Sequence, residues 1–181
     1  MGTEVSDLPL AVDMDGTLIL SDMSRISIRK VLFRKPWLIP SVIFKEMTGK
    51  RAGWKRDLGR ILVFNPSELE YHEGFLEWLT GEHSRGRVSI LATASDRIVA
   101  EQVAAHVGMF SDVMASDNDY NLRDRKKAEA LVARYGEGGF GYAGNSHHDL
   151  AVWEKAAQVI VVNPDSGVLD RVGNSVDIVF E

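Results

Sequence analysis

The run Leu8-Pro9-Leu10-Ala11-Val12-Asp13-Met14-Asp15-Gly16-Thr17 carries a short apolar strand into a carboxylate and follows it at once with a turn glycine. An apolar run this short, bounded by turn residues, is the signature of a strand buried on both faces. Two carboxylates two residues apart project to the same side of an extended segment. One is then able to attack phosphorus while the other handles protons, and aspartate is a known covalent nucleophile in phosphoryl transfer. Asp-x-Asp also occurs in plain turns. Asp-x-Asp-Gly-Thr at the end of the first strand of an α/β chain points instead to chemistry at Asp13 and Asp15.

Downstream the chain alternates. Val88–Ala92 reads as a buried strand, Asp96–Val107 as a helix stopped by Gly108, and Val113–Ser116 as a short strand. Arg125–Tyr135 is a helix closed by Gly136, Phe140–Ala143 a strand, Asp149–Ala157 a helix, and Val159–Val162 a strand. Asp177–Phe180 adds an edge strand. Ser67 with Glu70 reads as a capping box opening a helix through Leu79. Such alternation predicts an α/β fold, with a parallel sheet covered on both faces. Ligands in such folds bind beyond the carboxyl ends of the strands.

The residues after each predicted strand are therefore the candidates. After the second come Thr93-Ala94-Ser95. A hydroxyl there can donate to a phosphoryl oxygen or cap the next helix; Thr93 suits the phosphate and Ser95 the cap. Lys126-Lys127 open a helix, and a lysine there neutralises charge on a transferring phosphoryl group. The apolar spacing around the pair does not choose between them. After the fourth strand come Gly144-Asn145-Ser146-His147-His148-Asp149. Asn145 and Asp149 offer the oxygen ligands that magnesium prefers. His147-His148 invites a transition-metal reading, but no third nitrogen or sulfur ligand accompanies them, and they read as exposed residues at a helix start.

These segments, in this order, resemble the haloacid dehalogenase superfamily of phosphohydrolases. The resemblance runs over nearly all of Leu8–Val162. It implies a three-layer Rossmann-like core, residues 1–20 and 71–181, with a small helical cap inserted after the first strand at 21–70. It implies Asp13 as nucleophile, Asp15 as general acid and then base, and Thr93, Ala94 and Lys127 as the phosphoryl-binding group. It implies Mg2+ among Asp13, Asp15 (by its backbone carbonyl), Asn145 and Asp149. Asn145 stands where the family carries an acid, so weaker magnesium binding is expected. A narrower resemblance, through Leu91–Asp96, Ala115–Asp117 with Asn121-Leu122, and Tyr142–Ser146, is to the phosphatase-like domain fused ahead of UbiA-type polyprenyl transferases.

Charge is uneven along the chain. Between Ser24 and Phe64 eleven basic residues face two acidic ones, a net +9. The remainder has ten basic and twenty-four acidic residues, a net −14. Basic residues beside Trp37, Ile39, Phe44 and Trp54 suit an interfacial segment. An anionic membrane surface or a lipid phosphate is the partner expected of it, set against a plain helical cap with solvated charges. Nucleic acid is not expected, because the acidic remainder repels phosphate backbones. With no cysteine and no apolar run approaching the ~18–20 residues of a membrane span, the expected place is the cytoplasm, peripheral to a membrane at most. The overall expectation is a magnesium-dependent hydrolase of small-molecule phosphate monoesters. A catalytically weak binding or regulatory module associated with a prenyltransferase is the alternative, and a phosphotransferase would need the same residues.

Overall fold

The computed structural model describes residues 7–20, 65–117 and 120–181. Most of the expected cap, residues 21–64, lies outside them. Six strands form one parallel sheet: β1 (Leu10–Val12), β2 (Ser89–Asp96), β3 (Asp112–Ser116), β4 (Gly141–Gly144), β5 (Gln158–Val162) and β6 (Ile178–Phe180). Their order is β3-β2-β1-β4-β5-β6, so β1 lies between β2 and β4. The chain winds outward from β1 in both directions. The place where that direction reverses is where such sheets open a crevice at their carboxyl ends.

Alternation along the strands builds two cores. Leu10, Val12, Leu91, Ile160 and Val162 face one side, with Phe75 and Leu79 of α1 (Glu73–Ser84) and Ala100 and Val103 of α2 (Arg97–Val107). Ala11, Ile90, Ala92, Tyr142, Val159 and Val161 face the other. There they meet Ala128 and Leu131 of α3 (Arg125–Tyr135), Val152 and Trp153 of α4 (Leu150–Trp153), and Val168 of α5 (Val168–Val172). This is the expected three-layer α/β architecture. Each fully buried Leu or Ile in it contributes about 1.5–3 kcal/mol.

Several element ends differ from the sequence reading. Ser67 and Glu70 open no helix. Asn65 instead caps a 3-10 turn, Pro66–Glu68, and α1 starts at Glu73 with the His72 ring accepting from the Phe75 N–H. Pro66 sits at the start of that turn, where its lack of an N–H does no harm. Ser95 is not the cap of α2. The Asp96 carboxylate accepts from the Ile98 N–H, while Ser95 lies within β2, which runs on to Asp96. The helix expected over Asp149–Ala157 is a 3-10 turn, His147–Asp149, followed by the single α turn of α4.

Chain entry and exit around residues 21–64 are fixed. Ile19 bridges Tyr71 in antiparallel fashion; the Leu20 N–H donates to Glu70 O (2.9 Å), and the His72 N–H donates to Leu18 O (3.1 Å). No described helix is long and apolar enough to cross a membrane.

Candidate active site

The β1 backbone reaches its last ladder bond at Asp13, whose N–H donates to Ala143 O (2.9 Å) on β4. Ala11 faces the α3 side of the sheet, and Asp13, two residues on, follows it. A tight loop then turns the chain: the Gly16 N–H donates to Ile19 O, and the Ile19 N–H to Met14 O. Gly16 has φ +82°, and a Cβ there would stand 2.3 Å from Asn145 Nδ2. Only glycine meets both demands. The close approach locks the loop after β1 against the loop after β4. Asn163, itself at φ +44°, donates from Nδ2 to Gly16 O (3.3 Å) from the end of β5.

Lys127, on the first turn of α3, is buried and donates from Nζ to Asp13 Oδ1 at 2.8 Å. Of the two adjacent lysines, it is Lys127 that meets Asp13. Lys126 points outward with its ammonium over the Tyr120 ring. Lys127 also donates to the Tyr142 hydroxyl (2.8 Å) and lies 3.6 Å from Asp149 Oδ1. The Tyr142 hydroxyl in turn donates to Asp149 Oδ1 at 2.5 Å. Asp149 Oδ2 accepts from the Asn145 and Ser146 N–H groups and the Ser146 hydroxyl. Gly144 makes this packing possible, since a Cβ there would stand 2.7 Å from Asp149 Cγ and 2.8 Å from Tyr142 Cε1.

Thr93, at the carboxyl end of β2, is buried, and its Oγ1 accepts from the Ser95 N–H at 3.0 Å. Its own proton is thus left to point elsewhere. The Ser95 hydroxyl donates to Asp15 Oδ2. His147 and His148 are exposed. His147 Nε2 approaches Ser166 O, and His148 Nδ1 pairs with Asp124, the residue that leads into α3. Asp13, Asp15, Thr93, Lys127, Asn145 and Asp149 therefore gather at the carboxyl ends of β1, β2 and β4. Ser95, Tyr142 and Asn163 join them without having been singled out for this purpose. Tyr142 carried a readable signal, because a tyrosine in an otherwise apolar buried strand must find a partner for its hydroxyl.

The electrostatics are unbalanced. Among the described residues one lysine serves the buried carboxylates. Burial pushes Asp13 up to about 7, with Lys127 opposing and the Asp149 and Asp15 charges adding. Burial also works against the Asp149 anion, but Lys127, Tyr142 and the loop N–H groups outweigh it and hold that carboxyl low. Burial alone would lower Lys127; Asp13 and Asp149 raise it. Asp149 keeps the charge because its donors are already in place, and Asp13 is left short of positive charge.

That shortage is the test of whether magnesium suits the site. Among the described residues no group of three or more His, Asp or Glu side chains surrounds a common point. The donors at hand are the Asp13 carboxylate, the Asp15 carbonyl and the Asn145 amide oxygen. All are hard oxygens. No described donor occupies Asp13 Oδ2. The set fits a hard divalent cation, with charge still to be supplied beside Asp13.

No known family profile matches the chain. It is 34% identical over 155 residues to the uncharacterized protein y4nM of Sinorhizobium fredii; the match takes in 86% of this chain and 30% of that protein, so the chain spans under a third of that relative's length. Its fold is that of phosphoserine phosphatase in apo form (TM-score 0.68, 15% identity, 97% of this chain and 94% of that one). A phospho-aspartyl intermediate analogue of phosphoserine phosphatase is similar at TM-score 0.65 and 17% identity, over 97% of this chain and 93% of the other. A haloacid dehalogenase family hydrolase of Salmonella enterica aligns at TM-score 0.65 and 17% identity, over 90% and 64% of the two chains.

Proposed function

We propose that this chain, which has the haloacid dehalogenase fold, is a phosphate monoester hydrolase that works through an aspartyl-phosphate on Asp13. The observation that carries the reading is the buried contact of Lys127 Nζ with Asp13 Oδ1 at the carboxyl end of the central strand, with no donor on Asp13 Oδ2 among the described residues. The likeness of the fold to a phospho-aspartyl analogue supports it.

A phosphoryl group seats against the Thr93 proton, the Ala94 backbone and the third N–H of Lys127. Asp13 Oδ2 attacks phosphorus in line, and the bond from phosphorus to the leaving oxygen breaks. Asp15, positioned by Ser95, gives its proton to that oxygen. Asp15 then takes a proton from the water that attacks the aspartyl-phosphate, which releases phosphate and restores Asp13. Mg2+, held by Asp13, the Asp15 carbonyl and Asn145, would supply positive charge against the phosphoryl oxygens. The two oxygens of Asp149 are already engaged, so its charge acts one shell further out, on Lys127. The same supply of charge would favour the ionised form of Asp13.

The substrate is a small-molecule phosphate. The basic segment and the resemblance to domains fused to UbiA-type transferases add prenyl phosphates to the classes worth testing. The test is a phosphatase screen with magnesium across sugar phosphates, nucleotides, phosphoamino acids and prenyl phosphates. Asp13→Asn is the control; phosphate release that survives it places the nucleophile elsewhere. Asn145 favours one second reading, a module that binds phosphate without useful turnover. That reading predicts phosphate binding by the wild-type chain and no release from any substrate.

A further inference from the structure

The mechanism above makes no use of Tyr142, yet its hydroxyl is buried between Lys127 and Asp149. We propose that Tyr142 is a positioning residue that keeps the Lys127 ammonium on Asp13 and off Asp149. The proposal rests on the reading of Asp13 and Lys127 just given, and it concerns how that lysine is aimed.

Proton directions in the network are forced. A lysine ammonium has three donors and no acceptor. In the 2.8 Å contact with Lys127 the tyrosine oxygen must therefore accept, and its own proton must go to Asp149 Oδ1 at 2.5 Å. Lys127 and Asp149 stand 3.6 Å apart, too far for a hydrogen bond, with the hydroxyl bridging them. A bare ammonium–carboxylate pair closes to about 2.7–2.9 Å. Asp149 is anchored on its other oxygen by three donors of its own loop, so the lysine is the partner free to move. Without the hydroxyl it swings toward Asp149 and away from Asp13.

The ring is held in place for this task. Tyr142 is fully buried on β4 beside β1, its ring meets Trp153 edge-on at 6.2 Å, and the missing side chain of Gly144 makes room for it against Asp149. With one Lys127 proton on Asp13 and one on Tyr142, the third is left for a phosphoryl oxygen. The hydroxyl thus sets the direction of that donor as well as its distance.

Two measurements test the idea on the whole chain. The first is a crystal structure of Tyr142→Phe, which keeps the ring and removes the bridge. Lys127 Nζ is expected within about 3 Å of Asp149 and out of contact with Asp13. A lysine that stays on Asp13 overturns the proposal, whether or not the chain hydrolyses anything. The second is a double-mutant cycle with Lys127→Met, read by turnover of p-nitrophenyl phosphate and by calorimetric binding of inorganic phosphate, both with magnesium. Tyr142→Phe is expected to lower kcat by about 10- to 100-fold in the wild-type background and by less than about twofold when Lys127 is already Met. Equal losses in the two backgrounds, or no loss in the first, would show a packing role only. If every protein lacks turnover, the hydrolase reading fails, and the position of Lys127 still decides the role of Tyr142.

Discussion

At the amino end of the sheet Arg87 is buried, and its planar head reaches three elements. Nε donates to Leu8 O before β1, Nη1 to Glu82 on α1, and Nη2 to Gln158 at the start of β5. Gly141, at the start of β4, leaves the space it needs, since a Cβ there would lie 2.8 Å from Nη2. At the carboxyl end Lys127 is equally buried and joins β1, β4 and the loop after β4. The residues are similar in kind and the charge balance is opposite. Glu82 meets both Arg85 and Arg87. Burial works against its anion, and those two guanidiniums outweigh the burial and hold its carboxyl below the ordinary range. Among the described residues Asp13 shares a single cation with Asp149, and burial pushes it up to about 7. A satisfied network fastens a fold. One left short of a charge is a candidate functional site, here proposed to receive a phosphoryl group with its cation.

The largest expected effect breaks the carboxyl end. Asp13→Asn removes the proposed nucleophile and should lower turnover by at least about 10⁴-fold, measured as phosphate release at saturating magnesium. Circular dichroism should show the fold intact. Arg87→Met breaks the amino end instead. It leaves Glu82 with only the exposed Arg85 as partner and strips Leu8 O and Gln158 of a donor. Removing one member of a buried pair costs about 3–5 kcal/mol, to be read from urea denaturation. Turnover per folded molecule should not change, because Arg87 lies at the far end of the strands.

The two ends should also respond to pH with opposite signs. Glu82 has a folded value below its ordinary 4.5. It contributes stability that is present above that value and lost as pH falls. Asp13 is raised from 3.8 to about 7, so the folded chain holds a proton that the unfolded chain has released. Its contribution is full below about pH 4 and is lost as pH rises to about 7, by up to about 4 kcal/mol. In magnesium-free buffer with chelator, wild-type stability should therefore fall between about pH 4 and about pH 7 more steeply than that of Asp13→Asn. A wild-type curve with no such fall would mean that the site is already balanced without a cation.

The strands and most helices were legible because each announces itself locally: apolar runs end in turn residues, and Gly108 and Gly136 close their helices. That Asp13, Asp15, Thr93 and the loop after β4 meet at one end of the sheet was legible because the fold brings the carboxyl ends of parallel strands together. What escaped depends on partners far away in sequence. Ser95 looked like a cap because it precedes a helix, but its hydroxyl turns to Asp15, eighty residues earlier. Lys126 and Lys127 are indistinguishable by neighbours, and only the face of α3 against the sheet separates them. Ser67 and Glu70 had the capping spacing, but Asn65 and Pro66 had already set a tighter turn.

The smallest effect bears most directly on what the site lacks. Asn145 lies against Gly16, so close that no side chain fits between, and its amide offers oxygen without charge. Asn145→Asp changes almost no volume and adds one negative charge beside a carboxylate already short of positive charge. With magnesium absent, that should raise Asp13 further and lower stability at pH 8. With magnesium present, the added ligand charge should tighten binding, by about tenfold, measured by calorimetry. The two effects come from the same charge and must appear together. Unchanged or weaker magnesium affinity would place Asn145 outside the cation site, and the charge missing at Asp13 would then have to come from the substrate's own counterion or from residues 21–64.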